Sequence, residues 1–306
     1  MGRKAQRRPR PNQMITVTFY GVRGSRPVPG PSTLHYGGNT SCVCLTAAGH
    51  ESTPLVFDGG TGLIVLGEQR PVASVDLFLS HLHYDHIQGI PFFAPLFSAE
   101  TEVRFYGAPR DPSFEEALRR QMREPYYPIT LAQLPSRLTF REVEEGHTVE
   151  LESGFRVSPF SLIHPGGAFA YRAHLGEHRV VYCSDTSHFD EERRTDFIAF
   201  ARDADLLIYD AFFDEAEYSG DADGEHKENW GHSSWEEACR IAEACGAKRL
   251  ALYHHRDTRT DAAMSEIERA ARASCPIAFC AAEGMTLEIG AVSEQHGGFA
   301  GCDAAR

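Results

Sequence analysis

Six consecutive residues constrain this chain more than any other stretch: H-L-H-Y-D-H at 81–86. Four of their side chains, His81, His83, Asp85 and His86, are metal-ligand types. An apolar run at 75–79 precedes them and reads as a buried strand. Gly89-Ile90-Pro91 follows, so the block sits where a strand gives way to a turn. Alternate side chains on an extended segment share a face, so His81 and His83 can converge on one ion. Asp85 and His86 fall where the chain turns and can reach a second ion from the other side. Imidazole and carboxylate donors together suit zinc, iron or manganese. A merely solvated polar loop has no need of this spacing.

The rest of the chain must supply a scaffold for that block. At 306 residues it is long for one typical domain but within range for a two-layered α/β domain around one core. No apolar run approaches the roughly 20 residues of a membrane span, so no membrane association is expected. Residues 1–13 are basic with no apolar segment after them, which is not the pattern of a secretory signal. They are expected to form a disordered arm. The eight cysteines are scattered without a C-x-x-C pair, and Cys42 and Cys44 alternate on an expected strand. A reduced, cytoplasmic setting is expected.

Net charge is -13, and the arm holds five basic residues and no acidic ones, so the remainder carries about -18. That argues against broad binding to a long polyanion, which needs a basic surface. It leaves room for a small phosphate-bearing substrate held at a metal centre. Contact between the arm and nucleic acid is open but not favoured, and so is the oligomeric state, a homodimer included.

Strands are expected at 14–20, 42–46, 54–57, 75–79 and 103–106, with helical spacing after Gly62 to about 68 and a helix at 113–123. The second half repeats the pattern, with strands at 138–143, 155–163, 168–174 and 180–182, mostly antiparallel if joined by their short turns. Further strands are expected at 206–209, 249–253, 277–280 and 285–289, with helices at 234–244 and 261–273, the first capped by Ser233 or Ser234. Strands grouped in two halves, each with flanking helices, fit an α/β architecture of two sheets packed face to face with helices outside. No clean boundary divides it, so one domain at 14–290 and a flexible tail at 291–306 are expected.

Three more ligand types stand directly after apolar runs: His164, Asp185 and His254. Any one of them alone reads equally well as a strand-end residue that hydrogen-bonds a turn. With the block they make seven ligands, the number two metals need while leaving room for water.

H-L-H-Y-D-H resembles the H-x-H-x-D-H signature of the metallo-β-lactamase-fold hydrolases. Asp58 in F-D-G-G-T-G matches that family's earlier, structural aspartate motif beneath the site. His164, Asp185 and His254 match its later ligand positions in order, and the resemblance covers roughly 16–289. It implies an αββα four-layer sandwich of two mixed sheets with flanking helices. It also implies two divalent ions, zinc first, with manganese or iron as alternatives. One ion would be held by His81, His83 and His164, the other by Asp85, His86 and His254, with Asp185 between them. Asp85 counts with the catalytic residues as well as the ligands. Water between two such ions loses a proton near neutral pH and becomes the nucleophile.

A second pair narrows the reaction. Asp210 ends the run L-L-I-Y-D, and His232 stands in G-H-S-S before a helix. The pair resembles the motif of the phosphodiesterase branch, which includes tRNase Z and cyclic-phosphate and cyclic-nucleotide phosphodiesterases. There the carboxylate orients a histidine that contacts the phosphate and protonates the leaving alkoxide. This chain departs from tRNase Z in having Asp210 where Glu is common, and in lacking a long Gly- and Lys-rich insertion. Its opening loop, Y-G-V-R-G-S-R-P-V-P-G-P, resembles members described only as metal-dependent hydrolases. A small phosphodiester or cyclic nucleotide is therefore expected ahead of tRNA. Asn39, Thr40 and His188, besides His232, are expected to touch substrate. The alternatives are a carbon-ester, thioester or lactam hydrolase on the same fold and, more remotely, a non-catalytic metal-binding or nucleic-acid-binding adaptor. The dioxygen-reducing branch is disfavoured, since His83 stands where it usually has Glu.

Overall fold

Residues 14–290, with the exception of 223, are described by a computed structural model. The expectations for the basic arm and the tail lie outside the described residues. Two seven-stranded sheets form the frame, with strands numbered in chain order. The first runs β14 (Thr286–Ile289), β1 (Ile15–Gly21), β2 (Cys42–Ala47), β3 (Leu55–Phe57), β4 (Ser74–Phe78), β5 (Glu102–Gly107), β6 (Arg137–Glu142). The second runs β13 (Ala278–Cys280), β12 (Leu250–Tyr253), β11 (Leu206–Asp210), β10 (His178–Cys183), β9 (Ala168–Leu175), β8 (Arg156–Leu162), β7 (Val149–Glu150).

Each sheet is antiparallel on one side and parallel on the other. β3 to β6 are parallel, as are β10 to β13. Parallel neighbours need crossover connections, and helices supply them. On the first sheet these are α1 (Gly62–Gln69), the single turn α2 (Tyr84–Ile87) and α3 (Phe114–Gln121). On the second they are α4 (Glu191–Phe200), α5 (Glu215–Ser219), α6 (Trp235–Cys245) and α7 (Asp261–Ser274). α6 shows why such a stretch is helical. The Ser234 side chain caps its first turn, Glu236 and Glu237 complement the dipole there, and Gly246 closes it at φ 69°. Its buried Ala238, Ile241, Ala242 and Cys245 recur at helical spacing and face the sheet.

The core has three layers. Phe19, Phe57, Phe78, Tyr171, Tyr182 and Tyr253 fill the space between the sheets. Leu63, Leu66 and Leu118 seal α1 and α3 onto the first sheet, and Phe197, Ile241 and Met264 seal α4, α6 and α7 onto the second. The tyrosines between the sheets turn their hydroxyls to backbone or carboxylate at one end. Tyr171 donates to Leu79 O at 2.7 Å, Tyr253 to Gly21 O at 2.7 Å, and Tyr182 to Asp58 at 2.7 Å. Among the described residues, no helix is long and apolar enough to cross a membrane.

Two strands lie elsewhere than their place in the chain suggests. Arg137–Glu142 pairs parallel with β5 in the first sheet, not antiparallel with its successors, because α3 returns the chain before it. Thr286–Ile289 crosses back to pair with β1. α4 is absent from the sequence expectations. Its apolar pattern is weak, with Phe197 its one fully buried side chain, although Asp190 caps it.

Candidate metal centre

Asp58 is the foundation of the site. It follows β3 with φ 61°, and its carboxylate accepts four hydrogen bonds. Ser80 N donates at 2.7 Å, Ser80 Oγ at 2.8 Å, His86 Nδ1 at 2.7 Å and Tyr182 Oη at 2.7 Å. A carboxylate acceptor puts the proton of His86 on Nδ1, so its Nε2 presents a lone pair. Ser80 Oγ spends its own proton on Asp58 and therefore accepts from His81 Nδ1 at 3.0 Å. That leaves His81 Nε2 free as well. The glycines after Asp58 let this turn lie against the block. A Cβ on Gly60 would stand 2.2 Å from Asp85 O.

The second sheet meets the block from above. His164 leaves β8 and donates Nδ1–H to Gly231 O at 2.8 Å, which turns its Nε2 to within 3.1 Å of His83 Nδ1. Asp185 and His254 follow β10 and β12 with φ of 60° and 57°. Asp185 Oδ1 lies 4.0 Å from His81 Nε2 and 3.9 Å from His164 Nε2. Its Oδ2 lies 3.2 Å from His86 Nε2 and 3.3 Å from His254 Nε2. His254 Nε2 is also 3.1 Å from Asp85 Oδ2.

Three overlapping ligand sets result, His81–His83–His164, Asp85–His86–Asp185–His254 and Asp185–Asp210–His232–His254, with donor atoms within 4.8 Å of one another in each. The two oxygens of Asp185 face the first and second sets, one each. His81 Nε2 and His86 Nε2 are buried without a hydrogen-bond partner. Unpartnered buried acceptors are costly, and a cation among them removes the cost. This imidazole and carboxylate set fits divalent metal ions.

Electrostatics divide the histidines of the cluster. Burial holds the imidazoles of His81 and His164 below their ordinary value, His86 adding to the effect at His81. Burial opposes charge on His86 too, but Asp85, Asp185 and Asp58 outweigh it and raise its pKa well above the usual value. Burial alone would raise Asp85 and Asp185. Their histidine neighbours, His86 and His254, hold both below the usual carboxylate range.

Asp210 and His232 adjoin the second set. Asp210 Oδ2 is 3.0 Å from His232 Nδ1 and accepts from Asp185 N at 3.0 Å. Its Oδ1 accepts from Phe212 N at 3.1 Å and Ser233 N at 3.0 Å. The His232 ring stacks on Phe212 with centroids 4.3 Å apart. The other expected contacts lie elsewhere. Asn39 donates its backbone and side-chain N–H groups to Glu283, and the fully buried Thr40 exchanges hydrogen bonds with Thr61. His188 stacks on Tyr218 at 3.7 Å, with Nε2 3.3 Å from the Ser234 hydroxyl at the start of α6. None of the three lines a cavity beside the cluster. In the structure Asn39 and Thr40 hold a loop and His188 meets a helix start.

Sequence reasoning missed Ser80, Ser25, Phe212 and Gly231. Ser25 holds Asp85 Oδ2 from its backbone N at 2.7 Å, with φ 64°. Gly24 beside it leaves room for the His254 ring, which a Cβ would approach to 2.5 Å. The G-S pair in the opening loop was the available signal. Three cavities adjoin the cluster, the smallest, about 160 Å³, reaching Ser80 and His81. One of about 340 Å³ is lined by Ser25, Asp85, Asp185 and His232, and a larger one of about 740 Å³ opens from His81 and His83.

The family model of the beta-lactamase superfamily domain matches residues 55–255. The probable metallo-hydrolase YhfI of Bacillus subtilis is 32% identical over 248 residues, 78% of this chain and 86% of its own length. Ribonuclease Z of Gemmatimonas aurantiaca is 25% identical, covering 92% of this chain and 98% of its own. A crystal structure of a diphosphatase from the PhnP family superposes with a TM-score of 0.65 at 19% identity, over 90% of this chain and 98% of that one. This chain thus belongs to the metallo-β-lactamase-fold hydrolase superfamily.

Proposed function

We propose that this protein is a dinuclear metal-dependent phosphodiesterase acting on a small phosphodiester or a cyclic nucleotide, with His232 as general acid and Asp210 as its positioning partner. The observation that carries the reading is the 3.0 Å contact between Asp210 and His232 beside the ligand cluster. His81, His83 and His164 would hold one ion, Asp85, His86 and His254 the other, with Asp185 shared. Zinc suits these donors first, with manganese or iron as alternatives. When bound, such ions supply Lewis acidity that activates water and offsets phosphoryl charge.

The residues supply the rest. An alkoxide is a poor leaving group, so a positioned proton donor is worth roughly 10²–10⁴ in rate. Asp210 accepts the Nδ1 proton of His232 and so aims Nε2 at the departing oxygen, to which it would deliver the proton. Three backbone N–H groups fix Asp210, so the carboxylate cannot swing away from its histidine. Phe212 fixes the plane of the ring. Lactam and thioester hydrolysis has less need of such a donor. The relative named ribonuclease Z supports phosphodiester chemistry, while the acidic body disfavours a long polyanion as substrate.

The test is a substrate panel with metal-loaded protein: bis(p-nitrophenyl) phosphate, cyclic AMP, a chromogenic lactam and a thioester. Turnover of at least one diester is expected. Turnover of the lactam or thioester with neither diester touched would overturn the reading.

A further inference from the structure

The larger cavity has no part in the chemistry above, yet its character is specific. Its lining includes His81 and His83, the aromatic residues Tyr84, Phe92, Tyr126 and Tyr127, and Arg110 and Arg120. Tyr84, Phe92 and Tyr126 are 77%, 55% and 80% exposed, and are among the few large apolar side chains left open to solvent. Scattered exposed aromatics are unremarkable, but several on one wall beside a reactive centre mark a binding face.

The wall is also firm. Tyr127 Oη donates to Pro91 O at 2.7 Å, and its ring meets Phe92 edge to face at 5.8 Å. Gln121, at the end of α3, donates to Ile87 O at 2.7 Å and ties this helix to the ligand-bearing turn. Of the two lining arginines, Arg120 pairs with Glu116, while Arg110 has no ion-pair partner among the described residues. At the rim, Cβ atoms on Gly166 and Gly167 would meet nothing within 4 Å, so the mouth is open. Flat aromatic faces with guanidinium groups nearby suit a planar heteroaromatic ring, by stacking and by cation–π attraction. Alkyl groups gain nothing from the guanidinium.

His232 does not line this cleft. It lines the smaller cavity of about 340 Å³, which shares Leu82, His83 and Tyr84 with the larger one. We propose that the larger cleft is a nucleobase subsite, holding the nucleoside of the ester group that stays on phosphorus, while the leaving oxygen faces His232 in the smaller cavity. In a cyclic nucleotide both oxygens belong to one nucleoside, and its base occupies the same cleft. The proposal rests on the phosphodiesterase reading for the orientation of the phosphate, but its test is a binding measurement independent of turnover.

Protein reconstituted with Zn²⁺ is titrated calorimetrically with adenosine 5′-monophosphate, ribose 5-phosphate and hexyl phosphate, which share a phosphomonoester and differ in what it carries. The adenosine ligand is expected to bind at least about tenfold more tightly than ribose 5-phosphate, the gain of one stacked base. The double variant Phe92→Ala/Tyr126→Ala should abolish that advantage and leave ribose 5-phosphate binding unchanged. Both side chains are largely exposed, and an unchanged melting temperature will show that the fold is intact. Equal binding of the adenosine and ribose ligands, an advantage that survives the double substitution, or hexyl phosphate binding as tightly as the nucleotide would each overturn the subsite. If a base advantage exists but no diester is hydrolysed, the subsite stands and the reaction class falls. Diester hydrolysis without a base advantage has the opposite meaning.

Discussion

The first sheet delivers His81, His83, Asp85 and His86 to the cluster from a single loop, whereas the second delivers His164, Asp185, Asp210 and His254 from the ends of four different strands. The loop depends on one support. Asp58 holds Ser80 and His86 directly, and holds His81 through Ser80. The second-sheet residues have more distributed supports: Gly231 O for His164, the strand ends of β10 and β12 for Asp185 and His254, and three backbone N–H groups, one of them that of Asp185, for Asp210. The difference teaches that damage should spread on one side of the site and stay local on the other.

The largest effect should therefore come from Asp58→Ala. It strands four donors in the core, and loss of one partner of a buried, hydrogen-bonded charge costs roughly 3–5 kcal/mol. Metal analysis should find both ions depleted and thermal melting should show a lowered midpoint. Retention of two ions would break the comparison. On the second sheet, His254→Ala should lower bound metal from two equivalents toward one, since only the Asp85–His86 side loses a donor. Loss of both would show that the two sides are not separable. His232→Ala comes next, with a rate loss of roughly 10²–10⁴ on diesters and two ions still bound. If its metal content collapses, His232 is a ligand and not the acid.

The smallest effect lies on the second sheet away from the site and shows the background. His174 in β9 sits across from Arg156 of β8 and Arg179 of β10. Burial, and then Arg172, Arg179 and Arg156, push its imidazole down to about 4. In the unfolded chain it titrates near 6.5. Between those values the unfolded chain binds a proton that the folded one refuses, so stability falls as pH drops from about 6.5 to 4. His174→Gln should flatten that part of the denaturation midpoint against pH. An unchanged slope would mean that the site is better solvated than its neighbours imply.

The same contrast explains what could be seen in the amino-acid order. His81, His83, Asp85 and His86 are legible because they are contiguous and follow an apolar strand. His164, Asp185 and His254 are legible only as strand-end residues, and need the block to give them meaning. The sandwich follows from strands and helices grouped in two halves, but the parallel return of β6 does not, because its partner is chosen by the crossover through α3. Asn39 shows the limit most clearly. Its partner Glu283 is 244 residues away, and nothing near position 39 announces it. Ser80 is not legible, because a serine beside a histidine block carries no pattern of its own. Its importance comes from standing between Asp58 and His81.

Three residues of the site, Asp58, Asp185 and His254, leave their strands in the left-handed region. Side chains other than glycine hold that backbone at a cost of roughly 1 kcal/mol or more. Asp185→Gly should accordingly be about 1 kcal/mol more stable than Asp185→Ala in chemical denaturation, although neither can serve the cluster. A laboratory selection for heat tolerance alone would thus have a ready route through Asp185 and His254, though not through Asp58, whose loss strands four donors, and each step along it would dismantle the centre. Any programme to harden this enzyme should keep these three codons out of its library.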